Sequence, residues 1–107
     1  MSEQTLTFKE VVEKYSSKLD LWTTAITRAH GENHPEAFGV RELYEVIDAK
    51  IKEAGMNHPN LDEEFAKLRE ITDNYNVPAD VCETYAGVYQ MLSEADQAYH
   101  AQILAVI

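Results

Sequence analysis

Within ITRAHGENHPEAFGVRELY, residues 26 to 44, His30 and His34 stand four apart with Glu36 just beyond. That spacing puts two imidazoles on one helical face, and imidazole with carboxylate is a donor set that zinc or iron accepts. Gly31 and Pro35 interrupt the same stretch. Such punctuation predicts a helix end and a turn, so His30 and His34 are expected to cap or decorate that turn. His58 and His100 complete the four histidines. His34 and His58 each precede a proline, which biases them toward extended backbone at helix ends. Cys82 is the single cysteine, and no histidine lies near it in sequence. It reads as a small core hydrophobe rather than a nucleophile.

Other chemistry has less to build on. The chain contains no glycine-rich phosphate loop, nucleophile elbow or CxxC pair. Those motifs define the large enzyme classes recognisable from sequence. A nucleophile, a base and an orienting group cannot be placed together from spacing alone, so the chain does not read as an enzyme. Its carboxylates are expected on solvent faces, as in LDEEFAKLRE, where Asp62, Glu63 and Glu64 also complement the dipole at a helix start.

The elements that must carry these residues are helices. Phe8, Val11, Val12, Tyr15, Leu19, Trp22, Ile26 and Ala29 step by three and four, the period of one amphipathic helix. Thr7 and Glu10 form a capping-box pair at its start, and Gly31 marks its end. A second helix starts at Pro35 and Glu36 and carries Val40, Leu43, Tyr44, Ile47 and Ile51 as far as Gly55. Asn60 and Glu63 form a second capping pair, ahead of a third stripe of Leu61, Phe65, Leu68 and Ile71. After the turn formers of DNYNVPADV, Pro78 is expected to start a fourth helix that runs to the C-terminus through Val81, Tyr85, Val88, Tyr89, Leu92, Tyr99 and Ile103. Four such helices with short connections predict an all-α, up-down-up-down bundle.

Composition sets the outer limits. Apolar residues make up 45% of the 107 positions, enough for a core, so residues 1–107 are expected to form one domain. The formal net charge of -10 would repel a phosphate backbone or an anionic lipid surface. Nucleic acid and membranes are therefore not expected partners. One cysteine allows no intrachain disulfide, and no signal-like or membrane-spanning apolar run is present. A cytoplasmic location is the expectation.

RAHGENHPE and, above all, LREITDNYNVPADVCETYAGVYQMLSEADQAYH (residues 68 to 100) resemble the hemerythrin-like domain of the iron–sulfur cluster repair di-iron proteins. Asn74-Tyr75, Pro78, Cys82, Tyr89 and Leu92 carry the likeness, which extends over nearly the whole chain with one deletion between the second and third helices. The resemblance implies a hemerythrin-like bundle and stress-linked handling of iron or iron–sulfur clusters.

Family members hold two bridged irons inside the bundle, and their ligand positions carry over one at a time. The first-helix histidine falls on Lys9, the second-helix histidine on Ala54, and the glutamate one turn later in the shortened loop. The histidine opening the third helix falls on His58, while the histidine and glutamate of the last helix fall on Gln102 and Val106. His30 and His34 match family residues that are not ligands. The implied picture is a largely lost di-iron site whose interior has exchanged donors for an amine and aliphatic filler. His58 is the sole matched metal position. His100, two residues before Gln102, faces about 160° away from it in an ideal helix. A rebuilt iron site would need His58 and carboxylates such as Glu53 or Asp62, with His100 as an optional further donor; otherwise no cofactor is expected. The alternative function is a metal-free bundle acting as a protein-interaction or dimerisation module. Its apolar C-terminal end, AQILAVI, would pack on the bundle or meet a protein partner or a second copy.

Overall fold

The computed structural model describes the backbone of residues 7–106 and the side chains of residues 7–101. Its elements are α1 (Phe8–His30), α2 (Glu36–Ala54), α3 (Asp62–Ile71) and α4 (Glu83–Val106), and no strand occurs among the described residues. α1 packs against both α2 and α4, and α3 packs against α2. No helix among the described residues is long and apolar enough to cross a membrane.

α1 begins as its sequence requires. The Glu10 N–H donates to Thr7 Oγ1 at 3.2 Å, and the Thr7 N–H donates to Glu10 Oε1 at 2.9 Å, so the capping box is closed. Two of the otherwise orphaned donors at the helix start are thereby satisfied. The apolar stripe then buries Phe8, Val11, Leu19 and Ile26. At the other end Gly31 keeps a right-handed backbone, with φ -58, so it does not end α1 through a left-handed cap. Its missing side chain matters for space. A Cβ there would run into the Thr27 carbonyl oxygen and would lie 2.6 Å from the Phe38 ring. Gly55, by contrast, ends α2 at φ +61, where a side chain would be strained.

The core draws on all four helices and is rich in tyrosine. Tyr85, Tyr89 and Tyr99 on α4 are buried with Phe65, Leu61 and Leu68. Each phenol finds a polar partner, as burial demands. The Leu61 N–H donates to Tyr99 Oη at 2.8 Å, and Tyr99 Oη donates to Asp62 Oδ1 at 2.9 Å. Tyr15 Oη donates to Glu94 at 2.8 Å, tying α1 to α4. Tyr44 Oη donates to the Ser16 carbonyl at 3.1 Å, tying α2 to α1, and burial pushes its phenol up to about 12.

Two helix starts differ from the sequence expectation. α3 begins at Asp62, and Asn60 with Glu63 forms no capping box around it. Leu61 occupies the cap, fully buried, because the Tyr99 hydroxyl satisfies its N–H from α4. The Asn60 side chain still contributes locally, its Oδ1 accepting from the Asp62 N–H at 3.3 Å, while the Tyr99 hydroxyl takes the part expected of Glu63. α4 starts at Glu83 instead of at Pro78, and residues 79–80 form a turn.

The connection from α3 into that turn is conformationally demanding. Asp73, Asn74 and Tyr75 all have positive φ, at 54, 58 and 62 degrees. Non-glycine residues enter this region at a cost of roughly 1–2 kcal/mol each, so other contacts must hold them there. The Asn74 N–H donates to the Arg69 carbonyl at 2.8 Å, and the Tyr75 N–H donates to Thr72 Oγ1 at 2.9 Å. Tyr75 Oη donates to the buried Asp96 at 2.7 Å, and Arg69 and His100 pair with the same carboxylate at 3.1 and 2.8 Å.

Candidate functional site: a cysteine and two histidines where three helices end

Cys82 is exposed, not buried, and His30 stands beside it with Nε2 3.3 Å from the sulfur. The expectation of a core cysteine with no histidine partner is thereby corrected. The reason is tertiary: the last turn of α1 is packed against the first turn of α4, across 52 positions of sequence. The Ala86 N–H bonds to the Cys82 carbonyl at 3.1 Å, the first hydrogen bond of α4, so Cys82 is the N-cap of that helix. Its sulfur occupies the place where a serine or aspartate oxygen ordinarily accepts from the first turn.

That position alters the thiol. The Tyr85 N–H acting on the sulfur, followed by the His30 side chain, lowers the Cys82 thiol from its ordinary value to about 7. A helix N-terminus and a neighbouring imidazole both favour negative charge on sulfur. A lowered thiol favours the thiolate, the nucleophilic form.

His34 does not merely decorate the turn. Its Nδ1 lies 3.1 Å from Glu36 Oε2, and its Nε2 lies 2.9 and 3.0 Å from the two oxygens of Asp80. The hydrogen bond to Asp80 leads the causes that raise the His34 value above the ordinary histidine range, and the same contact lowers the Asp80 carboxyl. Beneath both imidazoles lies the buried ring of Tyr85, with centroids 5.4 Å from His30 and 5.7 Å from His34. Tyr85 Oη is 3.4 Å from Glu36 Oε2 and 3.2 Å from Tyr89 Oη, and burial pushes the Tyr85 phenol well up. Thus α1 supplies His30, the α1–α2 turn His34, α2 Glu36, and the approach to α4 Asp80 and Cys82. A thiol and an imidazole that spacing could not unite are brought together here.

The metal positions implied by resemblance lie elsewhere. His58 is exposed and stacked on Tyr99, with ring centroids 5.1 Å apart and 13° between planes. His100 is paired with Asp96 on its own helix. Asp62 accepts from Tyr99, and Glu53 is exposed. Lys9, expected as an amine in the bundle interior, is instead exposed, beside a cleft of about 230 Å³ shared with Phe8, Val12 and His58. Ala54 is half-buried at the last position of α2. The backbone of the apolar end continues α4 through Val106, but its side chains from residue 102 on, Gln102 and Val106 among them, lie outside the described residues. Among the described residues no group of three or more His, Cys, Asp and Glu side chains is arranged to hold a metal ion. With a lysine, an alanine and a ring-stacked histidine at the positions that the resemblance implies, the donor set does not fit two bridged irons.

No family model, curated protein or solved structure matches the chain.

Proposed function

We propose that this chain is a hemerythrin-like, up-down-up-down helical bundle that performs reversible thiol chemistry at Cys82, in the stress-linked setting implied by its resemblance to the iron–sulfur repair proteins. One observation carries the reading: an exposed sulfur at the cap of α4, 3.3 Å from an imidazole, with its thiol lowered to about 7. Contacts between His30 and Cys82, and between Tyr15 and Glu94, support antiparallel α1 and α4.

The substrate class is a small disulfide. The Cys82 thiolate attacks one of its sulfurs; a new S–S bond forms, the old one breaks, and its electron pair leaves on the departing thiolate, which takes a proton from water. An external thiol reverses the step by the same exchange. Cys82 is the only cysteine, so no second thiol in the chain can resolve the mixed disulfide. Without an external thiol the capture is stoichiometric, one adduct per chain, and the role is that of a thiol acceptor.

The test is the rate of alkylation by iodoacetamide against pH, paired with the intact mass after exposure to an oxidised small thiol. A midpoint near 7 and one adduct removable by reductant are expected. A midpoint at or above about 8.5, the ordinary thiol value, with no adduct would overturn the reading.

A further inference from the structure

We propose that His34 is a positioning residue for the Cys82 thiol: as a doubly protonated bridge it fastens the segment carrying the thiol to the turn beside His30. This inference rests on the thiol reading above.

Carboxylate oxygens only accept hydrogen bonds, so an imidazole with a carboxylate at each nitrogen must donate from both. His34 has that arrangement, with Glu36 at Nδ1 and Asp80 at Nε2. The charged and titratable groups facing its ring come from each neighbouring element: His30 from α1, Glu36 from α2, Asp80 from the turn before α4, and Tyr85 from α4 itself. A neutral His34 keeps one N–H, and its other nitrogen then turns a lone pair toward a carboxylate. Asp80 is the contact that yields, because it is exposed and can move into water, whereas Glu36 is half-buried and also accepts from Tyr85.

Asp80 stands two residues before Cys82. Loss of its link to His34 unfastens the approach to the cap of α4, so the sulfur drifts from His30 and from the N–H groups that stabilise its charge. The raised His34 value agrees with a bridge that favours the charged ring.

Direct electrostatics and positioning make opposite predictions at Asp80. If charge alone mattered, removing a nearby carboxylate would lower the thiol midpoint. Positioning requires the reverse. In the full chain, with iodoacetamide as probe and circular dichroism to verify folding, Asp80→Ala and His34→Gln are each expected to raise the Cys82 midpoint, making alkylation at pH 7 roughly three-fold slower. His34→Arg, which keeps a charge and a forked donor able to span two carboxylates, is expected to restore the wild-type profile. A lowered midpoint in Asp80→Ala, an unchanged one in His34→Gln, or no rescue by arginine would overturn the bridge while leaving the thiol reading intact. An ordinary midpoint in the wild-type chain would instead overturn the thiol reading itself.

Discussion

The Nε2 of His30 lies 3.3 Å from the sulfur of Cys82, and this contact joins the end of α1 to the start of α4. His30→Ala removes one of the two leading causes that hold the thiol down, leaving the Tyr85 N–H as the other. The thiol midpoint should rise by about one unit, and alkylation at pH 7 should slow roughly five-fold. Stopped alkylation followed by mass spectrometry measures this. An unchanged rate would separate His30 from the reactivity of the sulfur.

Stability should depend on pH through the contact between His34 and Asp80. The folded His34 value is raised above its unfolded value near 6.5, so its contribution is complete below that pH and is lost as pH climbs through the raised value. The folded Asp80 value is lowered from 3.8, so its contribution is present above that pH and fades as pH falls through the lowered value. Urea denaturation of wild type and His34→Gln across pH 3 to 9 is the measurement. Their difference should be widest between the two limits and should shrink toward each end; a difference that grows on the alkaline side would sink this account.

Gly31 should tolerate no side chain. Alanine there meets the fixed Thr27 carbonyl oxygen as well as the Phe38 ring, and the backbone atom cannot step aside. A cost of about 1–3 kcal/mol is expected, in the range for overpacking. Because Gly31 follows His30 directly, the variant should also raise the Cys82 midpoint. Thermal melts and alkylation rates report the two effects separately.

At the turn after α3 the sign reverses. Asp73 is exposed and held at φ 54, a region where glycine is at ease and an L side chain is not. Asp73→Gly should stabilise the chain by up to about 1 kcal/mol, the relief of strain outweighing the added freedom of the unfolded chain. A fall in denaturation midpoint would show that the aspartate side chain does something that its geometry does not reveal.

Iron should not stabilise the chain. His58 is stacked on Tyr99, and His100 is paired with Asp96. A ligand that binds only the folded state must raise the melting temperature. Anaerobic ferrous reconstitution is therefore expected to leave Tm unmoved and no metal retained after desalting; bound iron with oxo-to-iron absorption would return the di-iron reading to the centre.

Much of the architecture is legible in the sequence because the signals are local. The stripe from Phe8 to Ile26, the Thr7 and Glu10 capping box and the helix-ending Gly55 depend on neighbours within a turn or so, and the structure keeps each, while Ala29, the last residue read into that stripe, is exposed. The misread starts of α3 and α4 have a shared cause. Leu61 is capped by a hydroxyl 38 residues away, and Cys82 caps with a sulfur, an atom outside the usual oxygen signals. Serine or aspartate at position 82 would have flagged the helix start.

The candidate site divides along the same line. Sequence alone determined that His30, His34 and Glu36 cluster around a helix end and turn, since they lie within seven residues of one another. It also determined that Cys82 is the only thiol. Only the tertiary structure decided that the thiol faces solvent beside His30 and that Asp80 meets His34. Those contacts arise from how the end of α1 packs on the start of α4, and a residue pattern with a period of 3.6 records which face is buried, not which distant helix end will lie against it.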